Sequence, residues 1–188
     1  FDFMLSNPPY GKSWKTDQER LGGAKKIIDS RFIVSHAGDN EYSLVTRSSD
    51  GQLMFLANLI DTLKQDTTLG SRIASVHNAS SLFTGDAGQG ESNMRRWIIE
   101  NDWLEAIVAL PLKMFYNTGI ATYVWVLSNR KDERRRGKVQ LINAVDWFTP
   151  LRKSLGEKGV EVSSTDADKV LAAFNAFDGF DDPDHSKV

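Results

Sequence analysis

Phe1-Asp2-Phe3-Met4-Leu5-Ser6-Asn7-Pro8-Pro9-Tyr10 joins an apolar run to a proline turn. Residues 1–6 read as a buried strand. Asn7 and Pro8 each precede a proline, so both are pushed from helical toward extended angles. The two prolines fix their own φ and carry no N–H that could compete for nearby acceptors. The product is a stiff turn that presents the Asn7 side-chain oxygen and the Pro8 carbonyl side by side. Two such acceptors suit a planar, conjugated amino group. Hydrogen bonds from both of its N–H groups draw the nitrogen toward a tetrahedral shape and free its lone pair. That work is electrostatic and positional, and no base has to act first. Tyr10 adds a flat face on which a base can stack, worth about 1–3 kcal/mol.

Working outward, the chain alternates strand and helix. The 11–48 segment is mixed and polar, with a helix expected around 17–28. Ser48-Ser49-Asp50 reads as an N-cap, and behind it Leu53, Phe55, Leu56, Leu59, Ile60 and Leu63 repeat at helical spacing. Strands are expected over 72–76, 104–110, 122–127 and 139–142, and helices over 92–101 and 166–177. Residues 77–91 read as a polar loop, 143–163 as irregular, and 178–183 as an acidic linker. This order implies an α/β fold, with a mostly parallel sheet covered on both faces. The last core strands follow one another without a helix, so the sheet is expected to end in an antiparallel pair.

Composition narrows the function classes. With 188 residues, 40% of them apolar and 26% charged, the chain can bury one real core. It has no cysteine, which removes disulfides and thiolate metal sites and fits a cytoplasmic setting. No apolar run reaches the length of a membrane span, so no membrane is expected among its partners. The net charge of −2 means that the chain as a whole is not a basic nucleic-acid binder. A partner carrying phosphates has to be gripped by local clusters or by another domain.

Asn-Pro-Pro-Tyr after an apolar strand resembles the acceptor-site motif of enzymes that methylate planar amino groups. More of the chain joins that resemblance: Met4-Leu5-Ser6-Asn7-Pro8-Pro9-Tyr10-Gly11, Thr46-Arg47-Ser48-Ser49-Asp50-Gly51, Gly85-Asp86-Ala87-Gly88-Gln89-Gly90-Glu91, Ile107-Val108-Ala109-Leu110-Pro111, and the block 114–127. Together these resemble the modification (M) subunit of type I restriction–modification systems, an adenine-N6 DNA methyltransferase. The resemblance implies the Rossmann-like sheet of S-adenosylmethionine-dependent methyltransferases and S-adenosylmethionine as cofactor. It also implies DNA as substrate, with a specificity subunit and a restriction subunit as partners. Asn7, Pro8, Pro9 and Tyr10 would then form the catalytic turn, with Asn7 also bordering the cofactor. In this family the glycine-rich cofactor loop precedes the Asn-Pro-Pro-Tyr strand. Residues 1–150 are therefore expected to be the acceptor-site half of the catalytic domain, followed over 151–188 by an irregular segment, an amphipathic helix and an acidic linker. The chain opens with Phe inside a strand and is read as a piece of something larger. Because Asn-Pro-Pro-Tyr also occurs in glutamine-amide and guanine-N2 methyltransferases, those acceptors stay open. So does a non-catalytic role for these residues as an assembly module.

Other residues carry two readings each. Phe115, just before Asn117-Thr118-Gly119, resembles the second aromatic that clamps an extruded adenine, since a base inside duplex DNA must be flipped out to be reached. A core Phe, or Tyr116 in the same role, is the alternative. Phe55 matches an aromatic that borders the cofactor's adenine, but its helical spacing favours plain core packing. Gly85, Gly88 and Gly90 lack the spacing of a nucleotide fingerprint and read either as a mobile loop near DNA or as a connector. The basic turn Arg130-Lys131, Arg134-Arg135-Arg136 and Lys138 reads as a phosphate contact or as a solvated hairpin tip. His36, His77 and His185 lack metal-ligand spacing, so no metal is expected.

Overall fold

The computed structural model describes residues 1–35, 38 and 42–188; the expectation for His36 lies outside them. β1 (Phe3–Ser6) runs through the 7–10 turn to α1 (Lys15–Arg20) and a small antiparallel ribbon of β2 (Ile33–Val34) and β3 (Tyr42–Ser43). Then come α2 (Gln52–Asp61), β4 (Arg72–Asn78), the single turn α3 (Ser80–Phe83), α4 (Gly90–Glu100), β5 (Leu104–Ala109), β6 (Thr122–Ser128) and β7 (Gln140–Asn143). β8 (Thr149–Leu155) and β9 (Lys158–Glu161) form a hairpin, and α5 (Ser164–Ala176) leads back to a short β10 (Ser186–Lys187).

The main sheet has six strands in the order β1-β4-β6-β5-β7-β10. β1 runs parallel to β4, and β5 parallel to β7. β6 is antiparallel to both of its neighbours, and β10 is antiparallel to β7. Four strands thus point one way; the antiparallel pair made by core strands with no helix between them is β5–β6, in the interior of the sheet, while the pair at its end, β7–β10, uses a strand that the sequence did not lead us to expect. β6 is a second reversed strand, in the interior. No helix lies between β5 and β6, so the chain can only fold back beside β5 in the opposite sense.

Alternation along β4 sorts the faces: Ile73, Ser75 and His77 are buried, and the residues between them are less so. They join Met4, Trp125 and Leu127 under the apolar stripes of α2 (Leu53, Leu56, Ile60) and α4 (Met94, Ile98), which form the larger core. The N-cap residue of α2 is Gly51, but the Asp50 carboxylate accepts from the Gln52 N–H at 3.1 Å and does the capping. α5 opens with a capping box between Ser163 and Asp166. It closes the smaller core over Val108, Ile142, Ala144 and Trp147.

Three expectations need correction. β1 is not a buried strand: only Met4 is covered, while Phe3 and Leu5 are 75% and 86% exposed. β1 lies at one end of the six-stranded order. The 143–163 segment is not irregular, since it contains the β8–β9 hairpin. The acidic stretch is not a free linker. Asp182 accepts from the Ser186 backbone at 3.1 Å and from His185 Nδ1 at 2.7 Å, and this turn returns β10 to the sheet.

Candidate active site

The ladder between β1 and β4 ends at Ser6 opposite Ser75, so Asn7 is the first residue beyond the carboxyl end of β1. Open α/β sheets bind ligands in this crevice. The other wall comes from the loop joining β5 to β6. β6 begins at Thr122, opposite Asn78 at the carboxyl end of β4, so that loop lies over the same end of the sheet. The two meet around an open cavity of about 470 Å³, lined by residues 7–12 from one side and by Phe115, Asn117, Thr118 and Ile120 from the other. Pro8 is buried, Tyr10 is half-buried and Asn7 faces solvent. Burial raises the Tyr10 phenol above its ordinary range, so it is neutral around pH 7. The lining contains no carboxylate and no imidazole. The cavity brings together the Asn7-Pro8 turn, two aromatic side chains and Lys12.

Phe115 therefore shares the cavity with Tyr10, and Tyr116 does not. Tyr116 is 63% exposed and lies under the Lys158 ammonium, 5.2 Å from the ring centre. The Phe115 turn is closed by a bridge to Thr118, whose hydroxyl accepts from the Ile120 N–H at 3.3 Å.

Beneath this end of the sheet lies a buried polar hub. Gln52 Nε2 donates to Asp50 Oδ2 and Asn78 Oδ1, each at 2.7 Å, and to Ser80 Oγ at 3.1 Å. Its Oε1 accepts from the Asn78 N–H at 3.0 Å and from His77 Nδ1 at 3.2 Å. The start of α2 is thereby tied to the carboxyl end of β4. Burial depresses the His77 pKa to about 4, against the opposing pull of Asp50, so the imidazole is neutral.

Phe55 is not a core residue. It is half exposed and lines a separate shallow hollow of about 240 Å³ with Phe32, Met54 and Asn58, while Leu53, Leu56 and Ile60 face the core. The glycine stretch is packed rather than free at its end. Gly90 lies so close to the Val45 carbonyl that a Cβ there would overlap it. Glu91 accepts from the Arg47 N–H at 3.1 Å, and Asn93 Nδ2 donates to the Ser43 and Gly88 carbonyls. The basic turn is divided. Lys131 is buried on Asp102 at 2.5 Å, and Arg135 is buried between Phe174 and Phe177, donating to the Phe174 carbonyl and to Gln140. Only the outer residues, such as Arg134 and Arg136, face solvent. Sequence reasoning missed Lys12 and Ile120 as lining residues, and nothing in the sequence pointed to the β8–β9 hairpin beside them.

A second cavity of about 500 Å³ lies over β5, β7 and β10, with Ile107, Tyr123, Leu141 and His185 in its walls. Among the described residues no three His, Asp or Glu side chains gather as a metal site, and no helix is long and apolar enough to cross a membrane.

A methylase subunit of a type I restriction enzyme from Methanocaldococcus jannaschii, MjaIX, is 28% identical over 184 residues, which is 98% of this chain and 29% of that protein. A second from the same organism, MjaVII, is 38% identical over 143 residues, 76% of this chain and 22% of that one. The crystal structure of a type I restriction–modification methyltransferase subunit from Streptococcus thermophilus superposes with a TM-score of 0.68. It is 26% identical and covers 94% of this chain and 32% of its own. The chain thus spans about a third or less of the length of the relatives it matches. The model of the N-6 DNA methylase family matches residues 1–188 from end to end, and the chain belongs to that family.

Proposed function

We propose that these residues form the acceptor half of an adenine-N6 DNA methyltransferase, acting within the modification subunit of a type I restriction–modification system in the cytoplasm. The observation that carries the reading is the shared cavity: Asn7, Pro8 and Tyr10 on one side, Phe115 on the other, and no carboxylate or imidazole in its lining. In this reading a flipped adenine enters between Tyr10 and Phe115, whose stacking offsets part of the extrusion cost. Its amino group donates one N–H to Asn7 Oδ1 and the other to the Pro8 carbonyl. The lone pair, withdrawn from the ring, points out of the ring plane. A proton leaves the amino nitrogen to water once the new N–C bond has formed.

S-adenosylmethionine supplies the electrophilic methyl group when bound. The residues present fit one border of such a cofactor. The Asn7 turn lies at the carboxyl end of β1, and the open face of Phe55 is free to take an adenine ring. They border the cofactor rather than enclose it. Sequence recognition belongs to a separate specificity subunit and cleavage to a restriction subunit.

The test is methyl transfer from labelled S-adenosylmethionine by a full-length modification subunit carrying these residues, assembled with its specificity subunit. Stoichiometric methylation of adenine in a cognate duplex is expected. Transfer to a protein amide or to guanine, with none to adenine, would favour the other acceptors. Normal assembly without any transfer would leave a structural module.

A further inference from the structure

The β8–β9 hairpin has no part in either core, yet its tip meets the loop that carries Phe115. Glu157 N–H donates to the Tyr116 carbonyl at 3.0 Å, and Gly159 N–H donates to the Lys113 carbonyl at 3.0 Å. These two carbonyls flank Phe115. Lys113 adopts a left-handed φ of 60°, which is uncommon for a side-chain-bearing residue. Gly156 sits at φ +63°, and a Cβ there would lie 2.5 Å from the Tyr116 oxygen, so only glycine lets the tip approach this closely. On the outer face the Lys158 ammonium lies over the Tyr116 ring. That contact accounts for Tyr116 turning outward while its neighbour lines the cavity.

We propose that the β8–β9 hairpin is a positioning element of the acceptor site, gripping the backbone on both sides of Phe115 so that the ring is held facing Tyr10. The proposal rests on the reading of Phe115 as a base-stacking residue. The hairpin touches no substrate in this account and acts only through the loop. Stacking depends on placement, and a shift of about 1 Å in such a group can cost about 100-fold in rate.

The test uses a full-length modification subunit with S-adenosylmethionine and a duplex carrying 2-aminopurine at the target position. Gly156→Ala is compared with Gly137→Ala, which imposes the same backbone strain at φ +69° in open space. Gly156→Ala is expected to lower the 2-aminopurine signal and adenine turnover about tenfold, with cofactor affinity unchanged within about twofold. Gly137→Ala should leave both near wild type. Adding Gly156→Ala to Phe115→Ala should cause no further loss, because the hairpin acts only through that ring. If Phe115→Ala alone leaves the signal intact, the base-stacking reading fails and the hairpin has nothing to position. If Phe115→Ala loses the signal but Gly156→Ala behaves like Gly137→Ala, the hairpin is a bystander and the proposal is overturned while Phe115 keeps its role. Should Gly156→Ala fail to fold, Lys158→Ala decides: a loss of about threefold supports the grip, and a wild-type signal overturns it.

Discussion

Pro8 and Pro9 restrict the backbone of the turn, and the proposed pairing of a side-chain oxygen with a main-chain oxygen is readable from four residues. Which second aromatic joins them is not, because Phe115 and Tyr116 are adjacent and both flat. In the structure Phe115 lines the cavity and Tyr116 is exposed beneath the Lys158 ammonium. Tyr10→Ala and Phe115→Ala should each weaken base extrusion by about 1–3 kcal/mol, read as lost 2-aminopurine fluorescence, and Tyr116→Ala should not. The reverse result for the 115/116 pair would place the clamp one residue along the chain. His77 has a consequence for stability. Its folded pKa is depressed to about 4 from an ordinary 6.5, so the unfolded chain takes up the proton first as pH falls. The stabilisation is complete above about 6.5, shrinks as pH drops toward 4 and then levels off. A gap of this size corresponds to about 3 kcal/mol. Urea midpoints measured across pH 4–7 should fall on the acid side for the wild type, and this slope should flatten in His77→Phe.

At the level of elements, periodicity located α2, α4, α5 and the strands β4 to β7 within a few residues, because each buries one face against a single neighbour. It failed where pairing is long-range. β8 is almost wholly exposed and β9 uniformly half-buried up to its last residue, so neither carries an alternation to read, and β10 is two residues whose only signal is the partner strand. The same limit hid the hub at Gln52, which in the sequence is one more polar residue near a helix start. Gln52→Leu would fill the same space but remove the acceptor of the Asn78 N–H and of His77 Nδ1, at about 1–3 kcal/mol for each group left buried and unpaired. A drop of several kcal/mol in urea-derived stability is expected. A loss under about 1 kcal/mol would mean that the hub does not tie α2 to β4. Phe55 makes the converse point: helical spacing placed it with the core, but it sits on the edge of the stripe and is left open.

Across the whole molecule, the alternation of strands and helices predicted the sheet, and the resemblance predicted the family. Strand order was out of reach of both, since β6 enters between β4 and β5 rather than after them. The acceptor groups lie just beyond the carboxyl end of β1, where the 7–12 segment meets the loop between β5 and β6. The central claim is that Asn7 acts on the acceptor nitrogen and not on the methyl donor. It is tested most directly by Asn7→Ala in a full-length modification subunit, with methylation of a cognate duplex and cofactor affinity measured on the same preparation. Turnover should fall by at least about 100-fold, the range seen when one oriented hydrogen-bonding group is removed from an active site, while cofactor affinity stays within a few-fold. A variant that kept more than about a tenth of wild-type turnover would contradict the account.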